Sequence, residues 1–271
     1  ATNGAGYPYN VQVSNNTTLD LGANGGAGTS KQIAGNLTID NGSVLSMNIS
    51  VMTKELSVLG SITIDGDLIL SSGVGANLNI GGNWSLGGSG SFLANGKKVT
   101  FNGGTGIQYV TGNTTFYDLT LNNSSATSDF GATVITIMNS FSKTGGTMVP
   151  GTSTFIFTGN PGSIVGSTAK YFYDIQINNG ASISHTTGTL HINHNFTNNG
   201  IFTQSSTLNT YFDYPNSTQT LSGIPVSTTF GNIIIGDAFF LTPSTLDAGS
   251  HIFTVSGNTF TLNAGSVFTG N

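Results

Sequence analysis

Asp65 and Asp67, separated only by Gly66, are the closest pair of carboxylates in the sequence. Two carboxyl groups at one corner of a β structure could perform general acid–base work on a glycosidic bond or hold Ca²⁺. Aspartate is also a common turn residue, and the reading adopted is that Asp65 sits in a turn while Asp67 opens the next strand. His185, His191 and His194 form the second cluster, and imidazoles at close spacing can ligate a transition metal. His191 alternates with Ile192 on a strand and His194 falls just past it, so the rings are expected to diverge. With no third ligand nearby, no metal is expected. Lys97-Lys98 is the only basic doublet and reads as a solvated turn. The chain has no cysteine, which removes thiol chemistry, and no Gly-x-Ser-x-Gly elbow is set between a strand and a helix. No catalytic residue and no cofactor are expected.

The composition says what must position these groups. Of 271 residues, 39 are Gly, 39 Thr, 31 Ser and 30 Asn, and all four types are poorer helix formers than alanine. Seventeen Phe and eight Tyr supply the apolar side chain that a disordered chain lacks. An all-β fold follows. Charged residues make up 6% of the chain, with six Lys, no Arg and a net charge of −5. That balance disfavours nucleic acid and anionic membranes as partners. The densest apolar stretch, Ile233 to Leu241, is interrupted by Gly236 and Asp237 and is too short to span a bilayer. The chain opens Ala1-Thr2-Asn3-Gly4, as a mature secreted protein does once its leader is removed.

Internal repetition sets the architecture. Val99-Thr100-Phe101 recurs as Phe155-Ile156-Phe157 and, more loosely, as Thr210-Tyr211-Phe212, each about 56 residues beyond the last. Phe116-Tyr117-Asp118-Leu119-Thr120-Leu121-Asn122-Asn123 recurs at the same interval as Phe172-Tyr173-Asp174-Ile175-Gln176-Ile177-Asn178-Asn179, and again from Phe230. Trp84, Phe141 and Phe196 keep nearly the same phase. Within each long repeat lie short alternating triplets, such as Leu78-Asn79-Ile80, Leu119-Thr120-Leu121, Ile135-Thr136-Ile137 and Leu190-His191-Ile192, with Leu37-Thr38-Ile39 and Ile62-Thr63-Ile64 upstream. Apolar–polar alternation over a few residues is a strand with one buried face. The mean triplet spacing of about 19 residues fits one coil of a right-handed parallel β-solenoid better than a sandwich or a propeller blade. On that spacing the chain forms roughly 13 or 14 coils, about 65 Å long at the usual strand separation. The expected organisation is one solenoid over residues 1–271: irregular coils at 1–77, superrepeats at 78–133, 134–189 and 190–250, and a partial fourth at 251–271.

Two sets of residues are assigned structural roles. Asp40, Asp65, Asn102, Asn122, Asn178 and Asn193 each follow a triplet, and stacked at one corner they would form a turn ladder. Trp84, Phe101, Phe116, Phe141, Phe157, Phe172, Phe196, Phe212 and Phe230 are expected in the core rather than as sugar-stacking platforms.

The run Ala34-Gly35-Asn36-Leu37-Thr38-Ile39, then Leu56-Ser57-Val58-Leu59-Gly60-Ser61-Ile62-Thr63-Ile64, then Leu78-Asn79-Ile80-Gly81-Gly82-Asn83-Trp84 and the Val99 and Phe116 segments resembles the Gly/Asn-rich repeat regions of large secreted surface proteins of Bacteroidota-type bacteria. The resemblance spans most of the chain. It implies export, extracellular or cell-surface residence, and a repetitive β scaffold.

The function expected on these grounds is structural: a solenoid subunit that associates head to tail with its own copies into an extracellular fibre or sheath. A glycan-binding adhesin is the alternative, because a surface of Asn, Thr, Ser and Tyr suits hydrogen bonding to sugars. Parallel β-helices also house polysaccharide lyases and hydrolases, but such lyases set Arg or Lys beside clustered Asp, and this chain has no Arg. An ice-binding solenoid would need regular Thr-x-Thr ranks. Thr38, Thr63, Thr100, Thr120 and Thr136 occupy triplet centres, with Asn79, Ile156, Gln176 and His191 interrupting the series.

Overall fold

A computed structural model describes residues 7–236 and 243–270. The opening Ala1-Thr2-Asn3-Gly4 and the segment Asp237 to Leu241 lie outside the described residues. The chain is an all-β solenoid of about 12 turns, with one short 3₁₀ turn at Gly26–Gly28. Among the described residues no helix is long and apolar enough to cross a membrane. Contacts divide the chain into two compact units, Ala1–Thr133 with Gly145–Thr147, and Val134–Thr144 with Met148–Asn271.

In the first unit each coil contributes strands to three parallel files. One file stacks Val11–Val13, Leu37–Ile39, Ile62–Ile64 and Trp84–Leu86, with Val110 above Trp84. A second stacks Thr18–Asp20, Val44–Ser46, Asp67–Ile69 and Ser91–Leu93. A third stacks Lys31–Ile33, Leu56–Val58, Leu78–Ile80 and Lys98–Phe101 beneath residues 118–121. Alternation decides the facing. Leu37, Ile39, Leu56, Val58, Ile62, Ile64, Leu78 and Ile80 are fully buried, whereas Thr38, Ser57, Thr63 and Asn79 between them face outward and are half-buried. Neighbouring coils therefore present the same inward side chain at the same place, and packing is continuous along the stack.

The second unit repeats the scheme. One file runs from Val134 through Thr154, Asp174 and Asn195, then from Thr220 to Asp247 and Thr269. A second takes Ser140, Ser163, Ser184, Thr203, Thr229 and Thr254. The third takes Lys170, Leu190, Thr210, Ile233 and Phe260.

These registers step unevenly, by 20 residues from Val134 to Thr154 and again to Asp174, and by more along the corner of the first unit. The corner residues Asn10, Asn36, Ser61 and Asn83, one to a coil, advance by 26, 25 and 22 along the chain. A step of 19 does occur, between the paired His185 and Gln204. Asn232 and Thr259, which immediately precede the paired Ile233 and Phe260, are 27 apart. The reason is that triplets of different files look alike in sequence. Ile62-Thr63-Ile64 and Leu78-Asn79-Ile80 lie on one coil but in different files, so counting them as successive coils shortens the period. The superrepeat spacing is likewise not a stacking register throughout. Phe155 stacks on Ile175, while Thr210 stacks on Leu190 in another file.

The corner that precedes the Leu37–Ile39 file holds the first unit together. The Asn36 amide N–H donates to Asn10 Oδ1 (2.8 Å), Ser61 N–H to Asn36 Oδ1 (2.9 Å), Asn83 N–H to Ser61 Oγ (3.0 Å) and Tyr109 N–H to Asn83 Oδ1 (2.9 Å). Each coil thus satisfies one otherwise unpaired backbone donor of the next. Glycine stands before Asn36, Ser61 and Asn83, and space requires it there. A Cβ on Gly60 would lie 2.3 Å from Asn36 Oδ1 and 2.6 Å from Gly35 C, and one on Gly82 would lie 2.6 Å from Gly60 C.

The nine aromatic residues Trp84, Phe101, Phe116, Phe141, Phe157, Phe172, Phe196, Phe212 and Phe230 are all fully buried. In the first unit Trp84, Phe92 and Phe116 meet at centroid distances of 4.9–5.8 Å, and Trp84 Nε1 donates to Thr114 Oγ1 (3.0 Å). In the second, Phe141, Phe155 and Phe172 form a three-ring cluster, as do Phe196, Phe202 and Phe230.

Candidate functional site

The expected turn-ladder residues fall into several places rather than one. Asp40 and Asp65 occupy one corner on adjacent coils, following Ile39 and Ile64, which pair. Asp40 Oδ2 accepts from Gln12 Nε2 (2.7 Å). Asn102 and Asn122 follow the paired Phe101 and Leu121 in a different file, and Asn122 lies inside the long strand Thr114–Asp129. Asn178 follows the strand Lys170–Ile177 and accepts from Gln176 Nε2 (2.8 Å). Asn193 belongs to no turn, because it lies within the strand Leu190–Asn198. The continuous ladder found is the Asn10–Asn36–Ser61–Asn83 series, which precedes its strands. Its signal in the sequence is the recurring Gly-Asn or Gly-Ser before a triplet.

Asp67 lies on the strand Asp67–Ile69 and accepts from Ser91 Oγ (2.6 Å), while Asp65 follows the strand Ile62–Ile64 and its N–H donates to Ile39 O (2.8 Å). Lys97 lies in a turn closed by its N–H to Ala94 O, and Lys98 opens the strand Lys98–Phe101 with its side chain exposed. The threonines at triplet centres do not form one interrupted series, because they belong to different files. Thr38, Thr63, Ser85 and Thr111 stack without a break in the first unit, and Thr38 is flanked in its coil by Asn36 and Asp40 rather than by further threonines. Asn79, Ile156, Gln176 and His191 interrupt other files.

The three histidines separate. His185 is fully buried. Its Nε2 is 2.9 Å from Thr187 O and its Nδ1 3.0 Å from Gln204 Nε2, so a neutral ring donating from Nε2 and accepting at Nδ1 satisfies both. Burial, with the nearby Lys170 charge second, pushes its pKa down to about 3. Lys170 is itself fully buried, and its ammonium donates to the carbonyls of Gly166 (2.6 Å), Thr168 (3.0 Å) and Thr187 (2.9 Å). Burial and then Lys143 lower it to about 8. Lys143, also buried, donates to Thr168 Oγ1 (3.0 Å). Lys170 shares the inward phase of Phe172 in an alternating strand, and that phase is the signal by which its position could be found.

His191 and His194 face outward and build the most distinctive surface of the second unit. Tyr171, His191 and Tyr211 stand on adjacent coils in register. Their rings stack at centroid separations of 4.4 and 4.6 Å, with interplanar angles of 22° and 5°. His191 Nδ1 lies 2.9 Å from Asp213 Oδ2, so Nδ1–H donates to the carboxylate and Nε2 remains for other partners. Tyr211 Oη accepts from Asn209 Nδ2 (3.2 Å). Burial, and then the Asp213 charge, raise the pKa of Tyr171 above its ordinary value.

Beside this stack lies a bulge. Phe172 pairs with Ile192 but Asp174 pairs with Asn195, so Asn193 and His194 together oppose Tyr173. An extra residue of this kind re-aims side chains, and here His194 stacks on Tyr173 at 4.6 Å and 24°. His194 Nδ1 lies 2.9 Å from Asp174 Oδ1, which also accepts the Asn195 N–H (2.9 Å). His191 thus lies between two tyrosines and meets Asp213, and His194 has one tyrosine, Tyr173, and Asp174. Among the described residues no three His, Asp or Glu side chains converge as metal ligands.

Rings stacked along the coil direction turn their faces toward one another and their edges outward. This face therefore offers mainly ring edges, with hydroxyls, an imidazole nitrogen and two carboxylates, and leaves an aromatic plane open at the Tyr171 end of the stack. Comparison with protein-family models, curated proteins and solved structures finds no match to this chain.

Proposed function

We propose that the chain is a non-catalytic, extracellular β-solenoid that binds glycans through the outward Tyr–His face of its second unit. The observation that supports this reading is the three-coil stack of Tyr171, His191 and Tyr211 with Asp213 bonded to the central ring. Stacked rings and a hydrogen-bonded carboxylate hold the polar edges in fixed positions, and preorganised donors and acceptors lose little entropy when they meet sugar hydroxyls. Both aspartates of the face are engaged by imidazoles, which suits them to holding the rings in place rather than to turnover. Extracellular residence rests on the resemblance to secreted surface repeats. A glycan array run alongside a reducing-sugar release assay tests the proposal. Saturable binding that is lost on Tyr171→Ala and Tyr211→Ala, without product release, is the expected result; release of product, or no binding, refutes it.

Head-to-tail association is a second reading with its own observation. Phe260, Leu262 and Phe268 stack in register on the buried Ile233, Ile235 and Leu246, yet remain 39%, 46% and 37% exposed. Any coil that follows would cover them, one of a longer chain or, in the fibre reading, one of a second copy. Light scattering and electron microscopy should then show concentration-dependent rods, and a monodisperse monomer at high concentration would refute this reading.

A further inference from the structure

The direction of the Tyr–His stack constrains the ligand as well as the site. Resting on the glycan-binding reading above, we infer that the ligand is an uncharged, linear β-linked polysaccharide lying along the coil stack, one sugar residue to each coil.

The row runs across strands, from Tyr171 to His191 to Tyr211, in steps of 4.4 and 4.6 Å between ring centres. That step is set by the separation of parallel strands, and it is close to the length of one residue in an extended glycan. A chain lying along the strand direction would cross the row once and meet a single ring edge. A chain lying along the stack meets a hydroxyl, an imidazole nitrogen and a hydroxyl in succession. The row has two defined ends. Above Tyr211 the register continues with Ile234, which offers no polar side-chain atom. Below, Tyr171 is 38% exposed, and among the described residues His191 is the only ring stacked on it. Its other face can take the flat apolar side of one terminal sugar. The row therefore accommodates three to four sugars.

Charge selects among glycans. On the strands that build the face, and in the turn just after Tyr211, the ionisable side chains are Lys170, Tyr171, Tyr173, Asp174, His191, His194, Tyr211, Asp213 and Tyr214. Lys170 is fully buried and bonded to three carbonyls, so the formal charges on the outward surface are the Asp174 and Asp213 carboxylates and whatever protons the two imidazoles carry. Uronate and sulfated chains would bring like charge against those carboxylates, a repulsion that disfavours the wrong partner.

Calorimetry with β-1,4-linked gluco-oligosaccharides of up to six sugars, and with β-1,4-linked oligoglucuronates of the same lengths, tests this. Affinity should rise about three- to tenfold with each added sugar, one or two hydrogen bonds' worth, and stop rising at three or four. The oligoglucuronates should not bind. Tyr211→Phe keeps the ring stack while removing one hydroxyl, and should move the plateau one sugar shorter; Thr203→Ala, on a different file, should leave the series unchanged. Binding that is independent of length, or equal for the uronates, overturns the alignment and leaves glycan binding standing. Absence of binding by every oligomer, with the fold intact by circular dichroism, overturns both.

Discussion

Phe172→Ala is the sharpest test of the coil register. Phe172 is fully buried and its ring meets Phe155 at 4.9 Å, Phe141 at 5.4 Å and Phe157 at 6.2 Å. Truncating a buried phenylalanine costs about 3–5 kcal/mol through lost transfer energy and the cavity that remains. Edge-to-face partners add about 0.5–1.5 kcal/mol each, though not additively. Phe155 and Phe157 on the same coil and Phe141 on the coil before hold the cavity open, so the upper part of that range, about 4–5 kcal/mol, is expected. Gln176, on the same strand but outward and half-buried, should cost within about 1 kcal/mol on replacement by Ala. Urea unfolding followed by circular dichroism reads the difference. With a slope of about 1–3 kcal/mol per molar, Phe172→Ala should lower the midpoint by more than about 1 M relative to Gln176→Ala. Equal midpoints would mean that the inward and outward faces have been assigned in the wrong phase.

At the first unit's corner, Gly60→Ala should destabilise by about 1–3 kcal/mol through overpacking, while Asn36→Ser, which copies the next rung, should be tolerated better than Asn36→Ala; thermal melts of the three variants compare them directly. His185 has a folded-state pKa of about 3 against an unfolded value of 6.5. The unfolded chain therefore takes up the proton first as pH falls, and stability should drop below about pH 6.5 with a slope of up to about 1.4 kcal/mol per unit. His185→Gln should flatten that acid limb in denaturation measured from pH 7 to pH 4. Lys170→Met removes the ammonium donor from the carbonyls of Gly166 and Thr168, and from Thr187 O, which keeps the His185 N–H, and should cost about 2 kcal/mol, read by the same urea assay; a neutral or stabilising result would show that water replaces the ammonium.

Facing is more legible in this sequence than spacing. Alternation alone separates Leu37 and Ile39 from Thr38, and places Lys170 inside with Phe172, because inward and outward positions differ chemically. Coil length is hidden, because triplets in the first and third files share one chemistry: Ile62-Thr63-Ile64 and Leu78-Asn79-Ile80 differ in file, not in pattern. The candidate binding face is hidden for another reason. Asn193 and His194 look like the end of a strand, and only the bulge opposite Tyr173 carries the strand on to Asn198. Tyr171, His191 and Tyr211 come from three different coils, and nothing local in the sequence says that they touch.

The Asn10–Asn36–Ser61–Asn83 ladder makes the first unit directional. Every rung gives an acceptor to the coil that follows, and the rungs from Asn36 onward take one from the coil before, through the same two elements, a glycine and a short polar side chain. The loops that bring the chain round to that corner take no part in the exchange, which is why coils of unequal length coexist in one stack. A whole coil could be duplicated or deleted at such a corner and its neighbours would meet the same contact as before. Sequence variation is thereby channelled into the outer loops and faces, so a protein of this kind can acquire a new surface without renegotiating its core.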